Sequence, residues 1–363
     1  MPQRPVNFSA GPAILPQSVL ERASQSVSAL EDLGLSILEI SHRSPTFDAI
    51  ITEARAGIRR LLDIPETHEI LFLGGGARGQ FAQVPLNFLS PGQTAGYVDT
   101  GVWATGAQDE AARIGDMRVL ASGADSGFTV LPDLPDASGL EDLAYVHTTS
   151  NNTIYGTQWN PLPRFEGVRH VCDMSSDIFS RPVDISSFSL IYAGAQKNAG
   201  PAGVTLVILE KAWMENARSD IPAIWRYQTQ AAKDSMYNTP PTFPIYVVGL
   251  VVKWLEELGG LGAMEARNKA KAGLLYDLMD RSNGFYVPTV PDPKQRSLMN
   301  VTWRLGNRDE EGRFLEESAG AGLSGLKGHR KVGGIRASIY NAMPPEGVEQ
   351  LVKFMERFAA AGA

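Results

Sequence analysis

Short apolar runs alternate with longer amphipathic stretches along the first part of the chain. Most of the intervening stretches are long enough for a helix, and in residues 47–62 the apolar side chains recur at helical spacing. Parallel strands need long connections of this kind. The pattern therefore predicts an α/β fold with a mostly parallel seven-stranded sheet sandwiched between helices. The candidate strands are residues 70–73, 95–98, 117–120, 144–148, 168–172, 189–192 and 204–209.

The pattern changes beyond residue 209. Residues 213–220 and 221–230 are predicted to be helical, and Thr242 is predicted to cap a further helix that Gly259 and Gly260 end. From residue 263 onwards, helical periodicity alternates with two strand-like stretches, which predicts a smaller α+β domain. We therefore expect a large domain over residues 16–260 and a small domain over residues 261–363, on which residues 1–15 pack as an extended arm.

The composition is that of a large globular protein, with 363 residues, of which 43% are hydrophobic and 20% charged. The net charge of −7 argues against a nucleic-acid partner, because such a partner needs a basic surface. An anionic ligand must then be captured by local arginine side chains. The single cysteine, Cys172, excludes an intrachain disulfide, and the five scattered histidines favour no metal site.

No segment of the sequence indicates export or a membrane span. The first twelve residues lack the apolar core of a signal peptide. The longest apolar run, residues 243–255, contains Lys253 and is too short to cross a bilayer. We expect a cytoplasmic protein without a membrane partner.

Residues 189–203 combine a short apolar run with an unusual lysine. Lys197 follows the run and is surrounded by glycine, alanine and proline. An ordinary surface lysine needs no small neighbours, whereas a lysine whose backbone is approached by a planar cofactor does. The segment therefore favours covalent chemistry, a Schiff base between Lys197 and an aldehyde cofactor, over the alternative of a solvated loop lysine.

Two further features fit such a cofactor. Asp173 ends a predicted strand, so it lies where α/β sheets bind ligands and has the charge to pair with a protonated pyridine nitrogen. The alternative is that it caps the next turn.

Residues 74–80, GGGARGQ, join a strand to a helix and match neither common nucleotide fingerprint. Backbone N–H groups at such a helix start bind phosphate.

An aromatic and a polar side chain complete the candidate cofactor site. Trp103 follows the next predicted strand and is placed to stack on a planar ring, although core packing is the ordinary reading of a tryptophan. Thr153, with the preceding pair Asn151–Asn152, follows the strand at 144–148 and offers polar groups near a ring hydroxyl. The four features, each modest by itself, converge with Lys197 on one aldehyde cofactor.

Several long motifs resemble the phosphoserine aminotransferase family, a branch of the class V aminotransferases. The resemblance extends from Asn7 to Phe358 and implies the fold type I architecture of pyridoxal-phosphate enzymes. One departure is Asn152, where the family usually has glutamate; Thr153 is kept. The motifs are residues 9–16, 41–44, 74–81, 173–182, 192–203, 238–243 and 328–344.

The resemblance implies a role for each candidate cofactor residue. Lys197 forms the Schiff base with pyridoxal 5'-phosphate and, once released, moves the proton between the substrate Cα and the cofactor C4′. Asp173 pairs with the pyridinium nitrogen. Trp103 stacks on the ring, and Thr153 lies near the ring hydroxyl. The phosphate is held by residues from two subunits, which implies a homodimer with shared active sites: Ala77, Arg78 and Gln196 of one subunit, with Asn238 and Thr239 of its partner.

The substrates require two cationic clamps, because glutamate and 2-oxoglutarate carry two carboxylates and phosphoserine carries a carboxylate and a phosphate. Arg336 is predicted on the open face of its strand and is our candidate for the α-carboxylate. Ser9 is a candidate donor to a bound carboxylate. Exposed arginines more often form weak surface pairs, which is the competing interpretation. The candidates for the second clamp are His42, Arg43, Arg78, His329 and Arg330.

The resemblance implies a transaminase that interconverts 3-phosphohydroxypyruvate and L-glutamate with O-phospho-L-serine and 2-oxoglutarate, in serine biosynthesis. It also implies a phosphorylated hydroxythreonine substrate on the route to pyridoxine. Two alternatives stay open. One is another class V member, such as an alanine–glyoxylate or serine–pyruvate transaminase, which needs no phosphate clamp. The other is a catalytically silent binding protein that keeps the fold.

Overall fold

The structure is a computed structural model that describes residues 4–136 and 138–362. The first three residues of the predicted arm, together with Ala137 and Ala363 of the two predicted domains, lie outside the described residues. No helix within the described ranges is long and apolar enough to cross a membrane.

Twelve strands and ten α-helices are numbered here in chain order, over the described residues. The strands are β1 Val6–Asn7, β2 His68–Leu73, β3 Thr94–Asp99, β4 Asp116–Ser122, β5 Leu143–Thr149, β6 His170–Asp173, β7 Leu190–Gly194, β8 Thr205–Glu210, β9 Tyr286–Pro288, β10 Asn300–Leu305, β11 Leu323–Ser324 and β12 Ile335–Ser338. The helices are α1 Gln17–Ser28, α2 Pro45–Leu62, α3 Gly76–Phe88, α4 Val102–Ala111, α5 Lys211–Met214, α6 Tyr227–Ala231, α7 Thr242–Glu257, α8 Gly260–Asp280, α9 Glu311–Gly320 and α10 Pro345–Gly362.

The central sheet has seven strands in the order β2-β8-β7-β6-β5-β3-β4. The strands from β7 to β4 pair in parallel, and β8 is antiparallel to both of its neighbours. The central strands of the sheet are short apolar runs because helices cover both of its faces. Every residue of β6 and β7 is buried. The predicted α/β class and mostly parallel seven-stranded sheet are confirmed.

Side chains alternate between two cores on the two faces of the sheet. In β2, Ile70 and Phe72 point into a cluster shared with α1, α2 and α7, whereas Leu71 and Leu73 point into a cluster shared with α3. This alternation is the two-residue period of a strand. Helices therefore pack on both faces and leave the ends of the strands free to form a site.

The C-terminal part has its own three-stranded antiparallel sheet in the order β12-β10-β9. Helices α8, α9 and α10 pack with it around a third hydrophobic cluster, to which Phe8 and Ile14 of the N-terminal arm also belong. The arm is further tied down by parallel pairing of β1 with β11, which aligns Val6 with Leu323. The division of the chain at residue 260 stays a prediction.

Two predicted features of the segment after β8 are wrong. The helices expected at 213–220 and 221–230 are reduced to the short α5 and α6 with a 3-10 turn at Ala223–Trp225. Pro222 disfavours helical backbone at the residue before it, and Arg218 pairs with Asp220 in the intervening loop. Thr242 does not cap α7, because it is already the first helical residue and makes no capping hydrogen bond.

Gly156 provides a stability test of the contact between the loop after β5 and strand β10. Its φ is +85°, and a Cβ built there would lie 2.2 Å from the Thr302 hydroxyl oxygen. Gly156→Ala should therefore combine a backbone cost of about 1 kcal/mol with an overpacking cost of about 1–3 kcal/mol. Equilibrium urea unfolding should show a clearly lower midpoint.

The matched control is Gly167→Ala. Gly167 also has a positive φ, +74°, but a Cβ there would meet nothing within 4 Å. Only the backbone cost of about 1 kcal/mol should appear in this variant. Equal midpoints for the two variants would contradict the close contact between Gly156 and Thr302.

Candidate active site

The carboxyl ends of β6 and β7 bring Asp173 and Lys197 to one edge of the sheet. Asp173 is the last residue of β6, and β7 ends at Gly194, three positions before Lys197. The two strands are parallel neighbours with Asp173 aligned to Tyr192, so both segments leave the sheet on the same side. This is the position at which open α/β sheets bind ligands.

Burial shifts the protonation of both groups. Asp173 is only 5% exposed, and loss of hydration raises the pKa of its carboxyl; the Lys197 charge and the hydrogen bond from the Ser175 N–H (2.9 Å) act in the opposite direction. Desolvation lowers the pKa of the Lys197 ammonium, which Asp173 partly offsets and Arg336 reinforces. The fold therefore places a buried acid and a readily deprotonated amine at one edge of the sheet, where each group influences the pKa of the other.

Trp103 forms one wall of the site. It is the second residue of α4, and its indole N–H donates to the Thr153 hydroxyl oxygen at 2.9 Å, which holds the ring in place. Lys197 Nζ lies 5.4 Å from the ring centroid and Arg78 Cζ lies 5.8 Å from it. Both distances are those of cation–π contacts, so the indole ring is bordered by positive charge.

The glycine turn opens α3 toward the same edge. Gly75 and Gly76 have φ of +91° and +65°, and a Cβ at Gly74 or Gly76 would meet nothing within 4 Å. The first N–H groups of the helix, including those of Ala77 and Arg78, have no partner within the helix. A helix N-terminus with open space before it is suited to an anion.

These groups fit pyridoxal phosphate as the sequence analysis describes it. A buried carboxylate suits a ring nitrogen, an indole ring suits a planar ring, and the open start of α3 suits a phosphate. Gln196 lies next to Lys197, and a Cβ on Gly194 would come within 2.6 Å of the Gln196 side-chain oxygen. The small residue at 194 is thus required for the side chain of Gln196 to lie where it does.

The N-terminal arm passes directly over the lysine, which the sequence analysis did not foresee. The Ala13 N–H donates to the Gln196 carbonyl at 2.9 Å, and a Cβ on Gly11 would lie 3.5 Å from Lys197 Cγ. Ser9 packs against Gly325, where a Cβ would be 2.6 Å from the Ser9 hydroxyl oxygen. The SAGP motif indicated a turn but carried no information about the surface that the turn contacts.

The predicted arginine of β12 reaches the cofactor residues. Arg336 donates to the Thr153 carbonyl at 2.9 Å, and burial lowers the pKa of its guanidinium. Among the described residues, its Nε is buried without a hydrogen-bond partner. Arg336 also lines a cavity of about 310 Å³ together with Tyr155 and Arg304. The unpaired donor and the cavity leave Arg336 able to receive an anion.

His329 and Arg330 belong to the same positive region. Burial lowers the pKa of His329, and the charges of Arg336, Arg330 and Lys331 lower it further. The imidazole is partly buried, whereas Arg330 and Lys331 are exposed. The loop before β12 therefore brings His329 and Arg330 near Arg336.

The remaining residues predicted for the second clamp and for the phosphate are not hydrogen-bonded to the residues around Lys197 and Arg336 within the described ranges. His42 and Arg43 precede α2, and no hydrogen bond or ion pair across residues 4–136 and 138–362 connects either side chain to the site. Asn238 and Thr239 are exposed, and the Asn238 amide donates to the Thr239 carbonyl at 3.1 Å. Asn238 lines a cavity of about 250 Å³ with Gly74 of its own chain.

Asn152, the departure from the family motif, has a structural task. Its side-chain oxygen accepts from the Thr100 hydroxyl at 3.2 Å, and its amide donates to the Thr157 hydroxyl at 2.9 Å. It is 1% exposed. These hydrogen bonds hold the loop that carries Thr153, so the Asn152 side chain stabilises the position of Thr153.

Comparisons with known proteins agree with this geometry. The family model "Aminotransferase class-V" matches residues 6–351. A phosphoserine aminotransferase of Lysinibacillus sphaericus (strain C3-41) is 52% identical over 358 residues, which are 99% of each chain. The solved phosphoserine aminotransferase from Bacillus circulans subsp. alkalophilus is 47% identical, has a TM-score of 0.95 and matches 99% of this chain and 100% of that one. A PLP-bound phosphoserine aminotransferase from Trichomonas vaginalis is 36% identical, with a TM-score of 0.88 over 97% and 100% of the two chains.

The chain therefore belongs to the class V aminotransferases, whose fold type I architecture is the covered parallel sheet described above. Within that class it belongs to the phosphoserine aminotransferase family. The resemblance that the motifs indicated is confirmed, while the roles of the individual residues stay predictions.

The charge environment of Lys197 can be tested directly. Competitive labelling of the cofactor-free protein with trace acetic anhydride across pH, read by mass spectrometry, should give Lys197 a lower midpoint than the exposed Lys253. Asp173→Asn should lower the midpoint further, because that carboxylate stabilises the ammonium form. Arg336→Met should raise it, because a neighbouring positive charge is lost.

Lys253 serves as the internal reference in every sample, since it is exposed on α7. Equal midpoints for the two lysines would mean that Lys197 is hydrated like a surface lysine. Shifts of the same sign in both variants would contradict the arrangement of charges described here.

Proposed function

We propose that the protein is a pyridoxal-phosphate-dependent transaminase that transfers the amino group of L-glutamate to 3-phosphohydroxypyruvate. The products are O-phospho-L-serine and 2-oxoglutarate. The observation that carries the proposal is the convergence of Lys197, Asp173 and Arg336 at one end of the sheet, with His329 and Arg330 beside them. An amine for covalent chemistry thus lies next to a cluster suited to doubly anionic substrates.

The bound cofactor supplies an electron sink for the electron pair that remains when the substrate Cα loses its proton. Lys197 Nζ is the base that takes this proton, and it returns a proton to Cα in the second half of the exchange. The lowered pKa of Lys197 favours the neutral amine that this role requires. Asp173 is proposed to pair with the protonated ring nitrogen; burial raises the pKa of its carboxyl, and the positive charge of Lys197 acts in the opposite direction, in favour of the carboxylate.

Trp103 and the glycine turn orient the cofactor. The indole ring, held by Thr153, supports one face of the planar ring. The N–H groups of Ala77 and Arg78 at the start of α3, with the Gln196 side chain, are proposed to bind the phosphate. By holding the phosphate and the ring, these residues would fix the position of a bound cofactor relative to Lys197.

The substrate is proposed to be held at both of its charged ends. Arg336 binds the α-carboxylate common to all four substrates and products, with Ser9 of the arm as a further donor. His329 and Arg330 bind the phosphate or the distal carboxylate, together with Arg78. The buried, unpaired Nε of Arg336 supports this assignment, because a buried donor without a partner is costly unless a ligand satisfies it.

We further propose a homodimer in which each active site is completed by the partner subunit. Within the described ranges, Asn238 and Thr239 are exposed, and the Asn238 amide donates only to the Thr239 carbonyl, so both side chains are accessible to the phosphate of a neighbouring site. No hydrogen bond or ion pair among residues 4–136 and 138–362 joins the side chain of His42 or Arg43 to the site of its own chain, and both are proposed to join the partner's phosphate clamp.

The same clamp suits 4-phosphohydroxy-L-threonine, which carries the same two anionic groups as phosphoserine. We therefore propose a second role in pyridoxine biosynthesis beside serine biosynthesis. A cytoplasmic location is part of the proposal and agrees with the free, buried thiol of Cys172.

The substrate assignment separates this function from that of an alanine–glyoxylate or serine–pyruvate transaminase. The enzyme should convert glutamate with 3-phosphohydroxypyruvate far faster than alanine with glyoxylate. His329→Ala and Arg330→Ala should each reduce the kcat/KM for phosphoserine about tenfold or more while changing that for serine little, since the first removes a hydrogen-bond donor to phosphate and the second removes a positive charge. Coupled assays of both amino donors measure the ratio.

Lys331→Ala is the matched control, because it removes an exposed positive charge one position further along the same loop. Its preference for phosphoserine should stay close to that of the wild type. An unchanged ratio in all three variants would remove the phosphate clamp from the proposal. Failure of the wild type to transaminate phosphohydroxypyruvate would refute the function itself.

Subunit complementation tests the shared site. A Lys197→Ala protomer and an Asn238→Ala/Thr239→Ala protomer should each be nearly inactive alone. In a mixed dimer, one site receives both an intact Lys197 and an intact pair from the partner. Random mixing of the two inactive proteins after reversible dissociation should therefore restore about a quarter of the wild-type activity.

The cavity that Asn238 shares with Gly74 of its own chain defines the competing arrangement. If the pair acts within its own subunit, no site in the mixed dimer is intact and no activity returns. Sedimentation before and after mixing confirms that dimers have formed.

A further inference from the structure

Lys271 on α8 is a buried lysine outside the proposed cofactor and substrate contacts. It is 1% exposed, and its ammonium donates to the carbonyls of Ile339 at 2.9 Å, Tyr340 at 2.7 Å and Met343 at 3.2 Å. An ammonium has three N–H donors, and each has an acceptor here. The side chain therefore fastens residues 339–343 to α8.

Burying this charge is costly. Desolvation lowers the pKa of Lys271 to about 7, and the nearby charge of Arg267 contributes in the same direction. A neutral amine has only two donors, so one of the three carbonyls would lose its hydrogen bond to Lys271. An apolar side chain would avoid the cost of the charge but would remove all three hydrogen bonds, and of the three carbonyls only that of Tyr340 accepts another one among the described residues, from the Met343 N–H at 2.9 Å.

The fastened residues connect β12, the strand of Arg336, to α10. Within them, the Asn341 N–H donates to the side-chain oxygen of Asn198 at 3.0 Å, and Asn198 is the neighbour of Lys197 in the chain. Asn268, one turn before Lys271 on α8, donates to the side-chain oxygen of Asn341 at 2.9 Å. Helix α8 thus holds this segment at two points, and the segment holds the lysine loop.

The same segment also contacts the arm. The Tyr340 hydroxyl donates to the Ala10 carbonyl at 2.7 Å and accepts from the Asn300 amide at 3.1 Å. The arm in turn lies over Lys197 through Gly11. Residues 339–343 are therefore in contact with two of the elements that surround Lys197, and they directly follow the strand of Arg336.

We propose that Lys271 is a positioning residue, which orients Lys197 and Arg336 by holding residues 339–343 through its three carbonyl contacts. It touches neither substrate nor cofactor and acts through Asn341 and Asn198 on the loop of Lys197. Its effect on turnover rests on the proposed function, whereas its effect on Lys197 does not.

The test compares Lys271→Met with Lys269→Met, an exposed lysine of the same helix. In cofactor-free protein, Lys271→Met should shift the labelling midpoint of Lys197 upward by about 0.5 pH unit or more, because a loosened loop lets water reach the amine. Lys269→Met should leave it unchanged. With the holoenzyme, kcat/KM for glutamate should fall about tenfold in Lys271→Met alone.

Asn198→Ala separates positioning from charge. Lys271→Met also removes a positive charge, but Asn198→Ala is neutral, removes the side-chain oxygen that accepts from the backbone N–H of Asn341, and should shift the Lys197 midpoint in the same direction. If Lys271 acts through Asn341, the double variant should shift no further than the larger single shift. Additive shifts would overturn the proposed route.

A purely structural role predicts a different result. In that case Lys271→Met lowers the urea midpoint but leaves the Lys197 labelling midpoint at its wild-type value, which would overturn the proposal. If the methionine variant does not fold, Lys271→Gln, which keeps two N–H donors without charge, is measured in the same way. A shifted Lys197 midpoint in a protein without transaminase activity would refute the proposed function and leave this inference standing.

Discussion

The placement of the Asp173 carboxylate beside the Lys197 ammonium is the constraint on which the rest of the structure depends. Each group loses hydration in the fold, which disfavours its charged form, and the opposite charge of its neighbour partly offsets that loss. The two groups meet only because β6 and β7 are adjacent parallel strands with Asp173 aligned to Tyr192. A register slip of one residue would turn Asp173 to the other face of the sheet. The strands must therefore be short, fully buried and in fixed register.

The C-terminal part of the chain is tied to this pair by hydrogen bonds rather than by sheet pairing. Arg336 donates to the Thr153 carbonyl, and Asn341 donates to the side chain of Asn198. The arm contacts both parts, because it lies over Lys197 and its Ala10 carbonyl accepts a hydrogen bond from the Tyr340 hydroxyl. The group proposed for chemistry and the group proposed for substrate recognition thus belong to one network. A displacement of the C-terminal part would therefore disturb the loop that carries Lys197.

Two predicted features are wrong because tertiary contacts, rather than local pattern, decide the conformation there. Residues 213–230 have helical periodicity, yet Pro222 and the pairing of Arg218 with Asp220 leave only short helices. Thr242 is a good capping residue by type, but α7 has already begun at that position. The grouping of His42 with the phosphate clamp rests on residue type and stays a prediction, because no hydrogen bond or ion pair among residues 4–136 and 138–362 joins its side chain to the site.

By itself, the sequence determined the α/β class, the seven strands of the central sheet and the candidate residues at the strand ends, because strand period and residue type act locally. It also determined the family, because long motifs such as residues 192–203 leave few alternatives. Only the tertiary structure decided that the arm lies over Lys197, that Asn341 contacts Asn198, and that Lys271 is buried against three carbonyls. These contacts join residues far apart in the chain. Their geometry follows from how the helices and sheets pack, which no local pattern encodes.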